Sequence, residues 1–600
     1  MQIKRLIIIA ITAIILGGCA GHQQAEKQAV VTTSSQAQQQ LKQLLDDEWQ
    51  YLMDTYPTYA SYLGLGNDEL NSRWRDMSLE AIHQSDKHYR EVLKKLNAID
   101  TSALSESDKT NYQLFKWQLE MAIEEHQFKP YLMPLDQSQG VQTLDDMANF
   151  VSLSSVKDYQ NWLSRLQKLP EHIQQNQLLM EAGIAQGIMP AKATMQRIPA
   201  QIQKQIVDKP EDSLFYQPFI NMSDDIPVAE QTRLQQEAKT VIKQQVIPAY
   251  EAFNQFFVNQ YLPAARTSHG IWDTPNGKEK YEYLVRYFTT TELTPDEIHQ
   301  IGLDEVARNR AEMDKIIEET GFEGTFEEFV TFLRTDPQFY YETPEELFDA
   351  YLAVSKRIDP ELVKLFGKLP RMPYGLKAIP DAVAPDSTTA YYNMPAADGS
   401  RAGYYYVNLY QPETRPKYEM EVLSVHEAMP GHHLQLALQM ELDEMPAFRR
   451  FMNFTVFVEG WGLYSERLGY DLGLYKDPYS RFGQLTYDMW RSVRLVVDTG
   501  IHYKGWTRQQ AIDYFKANAA KSEADIINEI DRYISWPGQA LAYKIGQLKM
   551  LELREKAKNE LGDKFDIKAF HDTMLGSGSI PLSVLEENID NWIQSVKSQN

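Results

Sequence analysis

The chain has a single cysteine, Cys19, in 600 residues, so no disulfide can form within it. Basic charge is scarce: 60 Lys and Arg stand against 83 Asp and Glu, leaving a net charge of −23. A surface of that sign repels phosphate, which argues against a nucleic-acid partner and against an electrostatic hold on an anionic membrane. Long apolar runs are missing as well, apart from Leu6 to Leu16 near the start. That run is shorter than a spanning helix needs and has the length of a secretory signal core. No sustained heptad pattern supports a coiled coil, and no repeat of fixed period is present. What remains is an ordinary globular composition, 43% apolar, which excludes wholesale disorder. The length calls for one very large domain or two lobes.

The start of the chain is informative. Met1 to Arg5 supplies positive charge, the apolar run follows, and Leu16-Gly17-Gly18-Cys19 closes it. This looks like the lipobox of bacterial lipoproteins, which implies cleavage before Cys19 and a lipid on its sulfur. Ala20 rather than aspartate follows the cysteine, and in resembling lipoproteins this favours the outer membrane. Residues 1–19 are therefore expected as a signal peptide and 20–40, rich in Gln, Ala, Ser and Thr, as a flexible tether.

From Leu41 onward apolar residues recur three and four apart, as in Leu41–Tyr56, Leu79–Leu96, Ser107–Glu125 and Val156–Asn176. Thr294-Pro-Asp-Glu and Thr343-Pro-Glu-Glu read as capped helix starts with proline in the first turn. One stretch departs from this. Thr388–Asn393 and Ala402–Leu409 are rich in aromatic and β-branched residues, with turn formers between them, and predict a hairpin or two short strands. The expected fold is mainly α: a large helical body with a deep cleft and a small sheet. Gly270 to Gly277 breaks the helices and suggests an N-terminal lobe over 41–270 and a catalytic lobe over 271–600.

The string that carries chemistry is Ser424-Val-His-Glu-Ala-Met-Pro-Gly-His-His-Leu-Gln435. A catalytic zinc takes three protein ligands and keeps one position open. The usual helical arrangement sets two histidines at i and i+4, with glutamate at i+1 as general base. Here i+4 is Pro430, and the next histidines are His432 and His433. On a regular helix His432 would lie roughly 9 Å along the axis and on another face, and His433 about 10 Å away. Pro430 cannot donate a backbone hydrogen bond and Gly431 accepts unusual conformations, so this spacing speaks for a broken helix rather than against a metal.

His-Glu-x-x-Pro-Gly-His-x-x-Gln resembles the signature of the bacterial family called domain of unknown function 885. It also resembles the Glu-zincin motif of the angiotensin-converting-enzyme and thimet-oligopeptidase type, with two residues inserted before Gly-His. Dipeptidyl peptidase III is similar in tolerating such an insertion. The resemblance implies a zinc-peptidase-like body with Zn2+ held by His426, His432 and Glu459, His433 being the alternative to His432. It gives Glu427 the role of general base and Tyr543 that of oxyanion stabiliser. Glu466, two turns beyond Glu459, would support a ligand.

Arg494, Asp498 and His502 share one helical stripe. An internal salt-bridge ladder and a site wall both fit them. In the second reading Arg494 clamps a substrate carboxylate, Asp498 orients a histidine, and His502 donates near an oxyanion. Gln539 and Lys544 are weaker candidates. The strand Ala402–Leu409, with Tyr405 and Asn408, would bind an extended peptide along a sheet edge. The expectation is an oligopeptide-cleaving zinc enzyme of the envelope, attached to membrane only by its lipid. Its rivals are a metallohydrolase of a non-peptide amide or cell-wall fragment, and a lipoprotein that binds peptides without cleaving them.

Overall fold

The computed structural model describes residues 35–380 and 384–599. The expected signal peptide, the lipidation site Cys19 and most of the tether lie outside the described residues. The first helix, α1 (Gln36–Thr55), begins within the stretch expected as tether. Ser35 and Gln38 close a reciprocal capping box there, and Ala37 and Leu41 are buried, so local chemistry starts the helix five residues early.

The helices that matter below are α2 (Leu79–Asn97), α3 (Glu106–His126), α4 (Val156–Gln186), α5 (Gly277–Thr289) and α6 (Pro295–Thr320). They continue as α7 (Met420–Glu427), α8 (His432–Met440), α9 (Thr455–Asp471), α10 (Pro478–His502), α11 (Glu523–Ser535) and α12 (Ala542–Leu561). Thr294 caps α6 with Glu297 in return, and Thr343 caps a helix over Pro344–Ile358. Among the described residues no helix is long and apolar enough to cross a membrane.

The protein is mainly α, with one small sheet. Its strands β1 (Tyr374–Ala378), β2 (Ala390–Asn393) and β3 (Gly403–Val407) lie in the order β1-β3-β2. β2 pairs antiparallel with β3, matching Tyr392 to Tyr405, while β1 pairs parallel on the other side, matching Leu376 to Tyr405. The strand expected to offer an edge is therefore the central one, flanked on both sides, and the edges belong to β1 and β2.

Two hydrophobic cores organise the body. The larger gathers Leu41, Val92 and Leu114 from α1, α2 and α3 with Phe457, Trp461, Leu495 and Ile589 from the C-terminal half. The second is built from Trp162, Leu166, Phe215, Tyr250 and Phe257. Helix α10 runs through the larger core, buried without interruption from Phe482 to His502. Helices α9 and α12 meet through glycines: a Cβ on Gly460 would lie 2.6 Å from the Cα of Gly546. This close approach sets Glu459, one residue before Gly460, against Tyr543, three before Gly546.

Candidate metal centre

Helix α7 stops at Glu427, because Ala428 leaves helical geometry at φ −104°, ψ −104°, and α8 starts again at His432. The Met429–Pro430 peptide bond in the link is cis. The turn is pinned from outside: the Trp461 indole N–H donates to the Pro430 carbonyl at 2.8 Å. It is also tight. A Cβ on Gly431 would stand 1.9 Å from the His426 carbonyl oxygen, so only glycine fits. By folding back, the chain brings His432 beside His426, with ring centroids 4.7 Å apart and planes at 83°.

Glu459 completes the group from α9. Its Oε2 lies 3.8 Å from His426 Nε2 and 3.5 Å from His432 Nε2. The donor atoms of the three residues all fall within 4.8 Å of one another. Ligands at zinc bond lengths of about 2.0–2.1 Å in a tetrahedron stand roughly 3.4 Å apart, so the donors are spaced for one such ion. Gly462, one turn beyond Glu459, keeps the space clear: a Cβ there would lie 2.8 Å from His426 Cε1 and 3.1 Å from its Nε2. Two imidazoles and a carboxylate are a donor set that suits zinc.

The surroundings tune these groups. His426 donates its Nδ1–H to Glu466 Oε1 at 2.9 Å, which turns the Nε2 lone pair toward Glu459. Burial pulls the His426 pKa well below its usual value, with His432, Arg491 and Arg494 adding to the effect, so the ring is held neutral. Burial pulls His432 down as well, but the adjoining Glu459 carboxylate outweighs it and the net shift is upward. Burial pushes Glu459 up, yet His432, Arg494 and the Tyr543 hydroxyl bring it below the ordinary carboxylate range. Glu427, at the end of α7, is raised to about 7, chiefly by burial and further by Glu459. The backbone N–H of Tyr392, on strand β2 packed against α7, pulls it the other way.

His433 stands apart from the group. Its Nε2–H donates to the Met372 carbonyl at 3.0 Å and its Nδ1 accepts from the Tyr392 hydroxyl at 2.8 Å, which leaves neither nitrogen for a metal.

The α10 stripe divides. Arg494 stacks over the Tyr543 ring at 4.3 Å, donates to the Tyr533 hydroxyl at 2.8 Å and pairs with Glu529 at 3.0 Å. These contacts make it a brace for Tyr543, while its Nη1 is buried and makes no hydrogen bond. Asp498 accepts from the Tyr281 hydroxyl at 2.6 Å and the Gly538 N–H at 3.0 Å, and orients no histidine. His502 accepts the Ile271 N–H at Nδ1 and donates from Nε2 to the Tyr533 carbonyl, so no N–H is left for an oxyanion. Lys544 is held by Asp488 and Glu305 in a buried network, and Gln539 lines the cavity described below.

The two strand candidates also have other duties. The Asn408 amide donates to the carbonyls of Ala384 and Thr388 and its oxygen accepts from Tyr410 N–H, tying down the 384–388 loop. Tyr405 is fully buried, packed edge-on against Tyr351.

Two neighbours escaped the sequence reading. Arg491 reaches Glu466 Oε1 at 3.4 Å and is buried beside both histidines and Glu427. It lies three residues before Arg494 on α10, so the two share a face, but that spacing does not say what the face meets. Tyr392, on strand β2 packed against α7, bonds His433 through its hydroxyl, and no sequence pattern signals that.

A cavity of about 790 Å³ opens beside Glu459, lined by Val458, Gln539, Trp536, Leu135, Met195 and Tyr283 among others.

Comparison with known proteins places the chain. Residues 57–589 match the family described as "Bacterial protein of unknown function (DUF885)". No curated protein matches. Among solved structures, a "putative lipoprotein" from Colwellia psychrerythraea is 32% identical over 94% of this chain and 100% of that one, with a TM-score of 0.87. A second, described as a "putative lipoprotein of unknown function" from Shewanella oneidensis, shares the fold at 20% identity, covering 92% of this chain and 99% of its own, with a TM-score of 0.67. The chain is a member of the bacterial DUF885 family.

Proposed function

We propose that this protein is a zinc-dependent peptidase of the bacterial envelope. The observation that carries the reading is the placement of Glu427: a half-buried carboxyl next in sequence to His426 and close to His432 and Glu459. Zinc held by His426, His432 and Glu459 would supply Lewis acidity, polarising a peptide carbonyl and making water a stronger acid. The protein's own groups account for the rest. A carboxylate placed next to the metal ligands can take up a proton and release it again. Glu427 therefore takes a proton from the attacking water and passes it to the departing amine.

Tyr543 stands across Glu459 with its hydroxyl in contact with that carboxylate and its ring stacked under Arg494. A hydroxyl so braced is placed to donate to the carbonyl oxygen as negative charge builds on it. Strand β2 supports a peptide over other amides. It is an edge strand packed against the helix that carries Glu427, and an extended peptide alongside it would pair backbone to backbone. The lipid anchor on Cys19 belongs to the same proposal, supported by the lipobox-like start and by the description of both structural relatives as "putative lipoprotein".

The test is hydrolysis of a mixed peptide library and a muropeptide panel by the zinc-loaded full chain, beside Glu427→Gln. Peptide cleavage by the parent alone is expected. Cleavage confined to muropeptides, or peptide cleavage surviving in Glu427→Gln, would overturn the reading. For the anchor, palmitate labelling is expected in the parent and absent in Cys19→Ser.

A further inference from the structure

The cavity beside Glu459 has a second set of charges in its wall. Lys280, on α5, lines it and is buried, with 7% of its surface exposed. Among the described residues, no hydrogen-bond acceptor and no carboxylate within 4.0 Å meets its ammonium. Two charged groups lie near it in the same wall, Arg266 and Glu125. Arg266 opposes the charge on Lys280 and Glu125 favours it, but Glu125 stands beyond ion-pair distance. Arg266 is itself held in place by the carbonyls of Met189, Ser268 and Gly270, so it cannot swing away.

A buried ammonium without a partner is costly, and proteins rarely keep one except where something else supplies the counter-charge. Of the other acids in the wall, Asp136 is occupied by the Trp536 indole N–H and by amides of its own loop, and Glu459 belongs to the metal group. Nothing in the wall completes Lys280. The α5 helix packs against both α9 and the turn at Gln539–Leu541, so this cation shares one cavity with Glu459.

From this geometry we propose that Lys280, backed by Arg266, is the recognition point for a carboxylate of the peptide substrate. The inference rests on the peptidase reading and narrows it to peptides that carry an anionic group near the bond cleaved. That group is either the free C-terminus or an acidic side chain.

The experiment measures binding by calorimetry to the full-length, zinc-loaded Glu427→Gln chain in detergent. The probes are N-acetyl-trialanine as free acid, the same peptide as C-terminal amide, and N-acetyl-Ala-Glu-Ala amide. The expected result is that one or both carboxylate peptides bind more tightly than trialanine amide. Lys280→Met should remove that preference, weakening them on the order of 10- to 100-fold while leaving the amide unchanged, and Lys280→Arg should restore part of it. Which of the two peptides is favoured identifies the C-terminus or the side chain.

Lys280→Met should also melt at or above the parent temperature, because it deletes an unpaired charge, whereas loss of a structural lysine would lower it. Equal weakening of acid and amide, no preference in the parent, or a fall in melting temperature with the preference intact would each overturn the proposal. Carboxylate-selective binding with no peptide hydrolysed by the parent would instead remove the peptidase reading and leave Lys280 standing.

Discussion

Gly462 lies so close under the His426 imidazole that a methyl group on its Cα would stand 2.8 Å from Cε1 and 3.1 Å from Nε2. The same methyl would be 3.1 Å from His432 Cε1. Helix α9 thus offers Glu459 to the two histidines and, one turn later, withdraws its own side chain from the space they face. Gly462→Ala is expected to lower zinc affinity roughly 10- to 100-fold, a loss of the size seen when ligand positioning is disturbed. Helix content should stay unchanged, since alanine is a better helix former than glycine. Competition with a colorimetric zinc chelator measures the first and circular dichroism the second.

The His426–Glu466 contact gives a milder prediction. Burial pushes the Glu466 carboxyl up to about 8 while Arg491 pulls it down; Glu466→Gln keeps an oxygen to accept the Nδ1–H but abolishes the carboxylate form that would make the imidazole a stronger donor. Zinc affinity should fall about tenfold. An unchanged affinity in the chelator competition would show that Glu466 only fills space.

Tyr543→Phe removes the hydroxyl in contact with Glu459 and keeps the ring beneath Arg494. For a hydroxyl that acts only as charge builds on the carbonyl oxygen, kcat should drop on the order of 100-fold with KM nearly constant. A rise in KM at constant kcat would assign Tyr543 to substrate binding instead. His502→Asn, with no free N–H to lose, should leave kcat close to the parent's in whatever fraction folds.

Buried histidines remote from the metal centre contribute to the response to acid, His502 and His571 most strongly. Burial depresses both His502 and His571 to about 3, and each has its ring nitrogens committed, His571 to the Leu365 carbonyl and the Tyr464 hydroxyl. Unfolded, each takes up a proton near pH 6.5; folded, neither does until about pH 3. The unfolded chain therefore binds more protons in that window, and stability is full above pH 6.5 and declines as pH falls toward 3. At pH 5 each site should have cost roughly 2 kcal/mol. Melting temperatures at pH 7.5 and 5.0 should differ less in His571→Gln than in the parent. An equal difference would exclude this residue as a source of the acid sensitivity.

Much of the metal centre was readable because its parts are close in sequence and chemically unusual. His426, Glu427, Pro430, Gly431 and His432 fall within seven positions, and the chain brings His426 and His432 together with Glu459. What failed to read through was direction. The Arg494-Asp498-His502 stripe was sound as helical geometry, but α10 is buried on every side, so sharing a face said nothing about facing the site. The strand over 402–409 was legible from its tyrosines, whereas its central place depended on β1, whose Tyr-Gly-Leu-Lys-Ala carries no alternation strong enough to predict a strand. Lys280 and Arg491 sit in helices where nothing local distinguishes them from solvent-facing basic residues. Only packing between distant segments buries them.

The zinc content of the purified full-length chain, beside His432→Ala, His433→Ala and Glu459→Ala, tests the central claim most directly. Elemental analysis after dialysis against dilute zinc should find one zinc per chain in the parent and in His433→Ala, whose ring is committed to Met372 and Tyr392. His432→Ala and Glu459→Ala should be nearly metal-free. A parent that takes up no zinc, or a His432→Ala chain that holds it as well as the parent does, would contradict the account.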